Sequence, residues 1–128
     1  MAEYLVLIYE NEASYATAGQ EGMASVMKAH EEFGTNCAAS LRGGNALQPA
    51  HTGTSIRRDE SGEFVTTDGP FAETKDLIAG WMVIDVDTYE RAVELAGELS
   101  AAPGAGGEPI HEWLEVRPFL SAPPTVAS

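Results

Sequence analysis

Basic residues are scarce in this 128-residue chain: seven Lys and Arg stand against twenty Asp and Glu, for a net charge of −13. A surface that neutralises phosphates needs clustered cations, and the only adjacent basic pair is Arg57 and Arg58. Direct nucleic-acid binding is therefore not expected, and neither is attachment to an anionic membrane surface. Long hydrophobic runs are also missing. The longest, Tyr4 to Tyr9, falls far short of the roughly 20 residues a spanning helix requires, so no membrane span is expected. The start, MAEYLVLIYE, has no basic region and no small-residue cleavage site, and it reads as a first strand in place of a signal peptide. The single cysteine, Cys37, cannot form an internal disulfide, which fits a reducing cytoplasm.

Several catalytic signatures are lacking as well. His30, His51 and His111 are isolated, and no His or Cys pairing has metal-ligand spacing, so no metal and no cofactor are expected. The glycines of GAGG follow a helical stretch, whereas a phosphate-binding loop would precede one. There is no G-x-S-x-G elbow, and Cys37 lies among apolar neighbours, so a nucleophilic triad has no support.

What is present is a chain 44% hydrophobic with mean hydropathy −0.14, enough for one globular domain with an ordinary core. Tyr4 to Tyr9 lacks polar alternation and predicts a strand covered on both faces. Thr17 and Gln20 have capping-box spacing. A helix is predicted from about Gly19 to Leu41, with Met23, Val26, Met27, His30, Phe33, Cys37 and Leu41 at steps of three and four, ended by Gly43 and Gly44. Residues 50–67 predict a hairpin around Asp59-Glu60-Ser61-Gly62. Ile78 to Val86 predicts another strand, in which Gly80 implies the close approach of a second backbone. Asp87 or Thr88 caps a second helix, with Tyr89, Ala92, Val93, Ala96 and Leu99 on one face. A last strand is predicted over Ile110 to Phe119, followed by a loose tail over residues 120–128, the domain occupying 1–119.

This order predicts an α+β fold, a split βαβ arrangement with both helices on one face of a mostly antiparallel sheet. Two helices cover one face only. The other face would keep large apolar side chains, and a second copy of the chain, set sheet against sheet, is the simplest cover. Polar groups inside such an assembly would line a cavity for a small molecule.

Five residues draw attention by their type and place in the pattern. His30 points inward from the apolar stripe of the first helix; it is either a hydrogen-bonded core residue or a proton-transfer group, and the second role calls for a partner such as Asp68. Asp68-Gly69-Pro70 has turn chemistry, with Phe71 expected to anchor the loop to the core. Arg117, on the inner face of the last strand, could neutralise an anionic substrate or pair with Glu115. Lys75 is a loop charge that could do the same.

The stretch DGPFAETKD, followed by IAGWMVIDV and later by LEVRP, resembles the DGPF (YCII-related, YciI-like) domain family from the first strand to Phe119. The resemblance implies a ferredoxin-like domain that dimerises into an α/β barrel. YciI-like members carry a His–Asp pair in their cavity and are regarded as enzymes, most with no known reaction. Asp68 matches the Asp of the motif, and His30 falls where the first-helix histidine of those members lies. Two departures stand out: Asp76 replaces the usual Glu, and Ala79-Gly80-Trp81-Met82 replaces Gly-Gly-Tyr-Tyr. That places an indole, Trp81, among the candidate substrate contacts with Arg117, Lys75 and Phe71.

The combined expectation is a cofactor-independent isomerase, lyase or dehydrochlorinase-like enzyme in a dimer cavity, with His30 moving a proton and Asp68 orienting it. The alternative is a small-ligand-binding or regulatory module; members of the family are often encoded beside alternative sigma factors.

Overall fold

The computed structural model describes residues 2–11, 19–71, 76–101 and 113–120. Its elements are β1 (Ala2–Asn11), α1 (Gly19–Asn36), β2 (Leu41–Ala46), β3 (Thr54–Arg58), β4 (Phe64–Asp68), β5 (Asp76–Val86), α2 (Tyr89–Ser100) and β6 (Leu114–Pro118), with a short 3-10 turn at Ala50–Thr52. Four strands form one sheet in the order β2-β5-β1-β6, with every pairing antiparallel. Strands β3 and β4 form a separate two-stranded sheet. Leaving that insertion aside, the order and directions are those of the ferredoxin-like α+β fold, with both helices on one face. Among the described residues no helix is long and apolar enough to cross a membrane.

The core lies where α2 meets the centre of the sheet. Tyr4 and Val6 of β1 and Met82, Ile84 and Val86 of β5 point to one side and are buried with Ala92, Leu95, Ala96 and Leu99 of α2. The α2 positions follow the i, i+3, i+4, i+7 spacing of one helical stripe. Val93, expected on this face, is exposed, and Leu95 takes its place. Thr88 is the residue that caps this helix: its Oγ1 accepts the Arg91 N–H at 3.1 Å, and Glu90 sits favourably in the first turn. Removing such a cap costs about 1 kcal/mol.

The first helix is shorter than its apolar spacing predicts. It ends at Asn36, and Leu41 opens β2 instead of closing the helix. Gly43 and Gly44 read as a helix stop, yet they belong to this strand, because pairing with β5 outweighs their poor strand propensity. A Cβ at Gly44 would lie 2.7 Å from the Trp81 carbonyl oxygen, so this edge closes tightly only without a side chain there. Gly80 meets the expectation of close backbone approach: its Cβ would come within 3.2 Å of the Asn45 carbonyl oxygen. Arg42 adds an ion pair to Asp85 at 3.3 Å across the same two strands.

The expected hairpin is present as β3 and β4, joined through a turn in which Asp59 accepts from the Ser61 hydroxyl at 2.7 Å and from the Ser61 and Glu63 N–H groups at 3.0 Å. The last strand is described from Leu114 onward. The start predicted for it at Ile110, the Thr17–Gln20 capping box and the tail from residue 121 on lie outside the described residues.

Candidate functional site

The two helices seat differently on the sheet. Helix α2 lies close on β5, β1 and β6, and among the described residues α1 makes no comparably close backbone approach to any strand. Phe33, Cys37 and Leu41 reach the core only as half-buried side chains. The space left under α1 is a cavity of about 430 Å³, within the range of small-ligand sites.

Its walls explain its chemistry. Helix α1 contributes His30, Glu31 and Phe33; β1 contributes Ile8 and Glu10; β2 and β5 contribute Asn45, Gly80 and Trp81 among others. A register break between Ile8 and Tyr9 leaves Ala79 without a partner on β1, since Ile8 pairs with Gly80 and Tyr9 with Ile78. Bulges of this kind bend a strand and re-aim its side chains, and this one borders the cavity. The result is a mostly apolar pocket whose lining residues include His30, Glu10, Glu31 and Asn45. Among the described wall residues there is no Lys or Arg. Met27, placed by its spacing on the inward stripe, borders the same space and is 44% exposed. The apolar stripe of α1 thus faces a cavity where a sealed core was expected.

Of the residues singled out in the sequence, His30 and Trp81 both border this cavity, although the pairing of Trp81 with Leu7 directs its indole to the sheet face away from the helices. His30 is half-buried. The Trp81 indole also lies across Gly43, where a Cβ would meet the ring at 3.9 Å. Asp68 ends β4 opposite Thr54 on the second sheet and is exposed; it does not line the cavity of the single chain. Behind it, Gly69 adopts a φ of +80°, donates its N–H to the Gly53 carbonyl, and accepts the Ser55 hydroxyl at 2.7 Å. The Asp-Gly pair is thus a turn that closes the base of the hairpin. Phe71 does not anchor this loop to the core. It is 87% exposed. Lys75 lies outside the described residues.

Arg117 takes one of the two roles the sequence left open, the pair with Glu115. Its Nε pairs with Glu115 Oε2 at 2.8 Å, and Glu115 Oε1 accepts the Tyr9 hydroxyl at 3.1 Å. These three groups share the sheet face opposite the helices, since Leu7 pairs with Glu115 and Leu5 with Arg117. Burial and then the neighbouring Glu115 push the Tyr9 phenol above its ordinary value. A smaller cleft of about 390 Å³ opens beside them, bordered by Tyr9, Asp76, Trp113, Leu114 and Glu115. Arg117 is therefore a carboxylate's partner on the far side of the sheet, away from the cavity.

Cys37 is half-buried, and desolvation, then the charge of Glu98, raise its thiol above the usual value, which makes it a poor nucleophile. Among the described residues no group of three His, Cys, Asp or Glu side chains is placed to hold a metal ion.

Sequence reasoning missed Glu10, Glu31 and Asn45. Glu31 carried a usable signal, since it directly follows an inward His30 on the helix. Asn45 carried none, because its strand was read as a helix stop.

One curated protein, an uncharacterised protein of Rhizobium meliloti (strain 1021), is 37% identical over 68 residues, covering 53% of this chain and 51% of that protein. The alignment thus spans about half the length of the relative. The YCII-related domain matches residues 2–121, nearly the whole sequence, and the chain belongs to the YCII-related family.

Proposed function

We propose that the chain is a small cofactor-independent enzyme that binds an organic molecule with an apolar body under α1 and moves a proton on it through His30. The observation that carries this reading is the seating of an imidazole on the wall of a 430 Å³ cavity that the two-helix packing leaves open. A positioned acid or base contributes about 10²–10⁴-fold, which suits isomerisation or elimination at an already acidified carbon. Asp68 enters as the group that orients the imidazole. Because it does not border the cavity of the single chain, its removal is expected to matter less than that of His30.

Leu5, Leu7 and Val83 lie half-buried on the sheet face away from the helices, beside Trp81, which is 38% exposed. We propose that a second copy of the chain covers this face, giving a homodimer in the cytoplasm. A regulatory module that binds a ligand without converting it is the second reading, favoured by the separation of Asp68 from the cavity wall.

The test is a panel of small carbonyl, lactone and halogenated compounds assayed with the intact protein, His30→Gln and Asp68→Asn. The enzyme reading predicts conversion by the wild type, loss of at least about 10²-fold in His30→Gln with binding retained, and a smaller loss in Asp68→Asn. Binding without conversion by the wild type would replace it with the regulatory reading.

A further inference from the structure

The β3–β4 hairpin stands apart from the domain. Its strands pair with each other and not with the four-stranded sheet, and at its base Gly69 donates its N–H to the Gly53 carbonyl. A two-stranded hairpin in water is marginal by itself, and both faces of this one are open. The register places Ile56, Arg58, Phe64 and Thr66 on one face, with the Arg58 guanidinium 4.7 Å above the Phe64 ring. Ile56 is 62% exposed and Phe64 is 64% exposed. Arg57 and Val65 sit opposite one another on the other face.

Charge makes the hairpin more specific than an exposed apolar patch. The chain has five arginines. Arg42 pairs with Asp85, Arg91 with Glu94 and Arg117 with Glu115. Arg57 and Arg58 alone make no ion pair among the described residues, although the chain carries twenty acidic side chains. Two unpaired arginines interleaved with exposed Ile56, Phe64 and Val65 call for an acidic, partly apolar surface, and Arg and aromatic residues are the side chains enriched at interface hot spots. The nearest surface of that description is the chain itself, with thirteen more acidic than basic groups and an open apolar sheet face.

We propose that the β3–β4 hairpin is an arm that clasps a second copy of this chain, its Ile56, Arg58 and Phe64 face lying against the acidic surface of the other protomer. In a two-fold assembly the contact is made twice, so each arm residue counts in duplicate. This inference rests on the homodimer proposed above but not on the cavity binding any ligand.

The experiment is sedimentation of the intact chain over a range of concentrations and salt, comparing the wild type with Ile56→Ser/Phe64→Ser, with Arg57→Glu/Arg58→Glu and with the sheet-face variant Leu7→Glu. Thermal melts at a concentration where all are monomeric check that the arm variants keep the core. The proposal predicts a wild-type dimer weakened by salt, with each arm variant raising the dimer dissociation constant about tenfold or more. A monomeric wild type would overturn both the arm and the sheet-face pairing. Arm variants that dimerise with an unchanged constant while Leu7→Glu is monomeric would overturn the arm alone. Arm variants that lose capture of some other acidic protein, in a chain that stays monomeric, would likewise overturn it.

Discussion

Helices α1 and α2 lie on the same face of one sheet, yet one seals a core and the other roofs a cavity. The difference is in what each presents inward. Helix α2 offers two alanines and two leucines at ideal spacing, all buried, so its backbone comes down close on β5, β1 and β6. Helix α1 presents Met27, His30 and Phe33, none of them fully buried, and stands off. Small residues permit close approach, and long or polar ones hold a gap open. The sheet is thus divided into a half with a packed core and a half that borders a cavity.

The sharpest way to break this contrast is to truncate one large side chain on each side. Leu95→Ala should cost about 2–5 kcal/mol, the usual toll for a leucine removed from a packed core. Phe33→Ala, made beside a space that already exists, should cost under half of that in denaturant unfolding, even though it deletes more atoms. Equal losses would mean that α1 is as tightly packed as α2. A smaller effect is expected at the edge that floors the cavity: Gly44→Ala pushes a methyl group against the Trp81 carbonyl and should cost about 1–3 kcal/mol by the same measurement. The smallest concerns the arm. Hydrogen bonds from Ser61 and from the Glu63 N–H hold the Asp59 carboxyl below its ordinary value. A carboxylate with a lowered folded-state value stabilises the turn above the ordinary carboxylate range, and that contribution fades as pH falls through the lowered value. The protection of the Ser61 and Glu63 amides, measured relative to their intrinsic exchange rates, should fall only below about pH 4, and Asp59→Ala should remove that dependence.

Much of the fold was legible because its signals are local. The unbroken apolar run from Tyr4 to Tyr9, the cap before Tyr89 and the turn residues Asp59 to Gly62 each act over a few positions. Strand β2 was not legible. Leu41 to Ala46 has two glycines and little β-branching, and it is a strand only because β5 offers it an edge that a bulkier residue at Gly44 could not approach. The same limit applies to the site. His30 could be placed on an inward stripe from its spacing, but whether that stripe meets packed side chains or a void depends on how far α1 stands from the sheet. Phe71 shows a related limit: an aromatic after a turn looks like an anchor, yet here it is 87% exposed. Arg117 was correctly placed on a sheet face, and its Glu115 partner was one of two readings that the sequence left open.

The α1 side is proposed to be the half of the sheet that receives a ligand. A nuclear magnetic resonance screen of small apolar fragments against the labelled chain tests it most directly. Binders should move the His30 imidazole signals and the amides of Phe33, Gly34, Asn45 and Gly80, while leaving Ala92, Leu95 and Leu99 in place. Binders that map to α2, or to the Tyr9–Glu115 cleft alone, would contradict it.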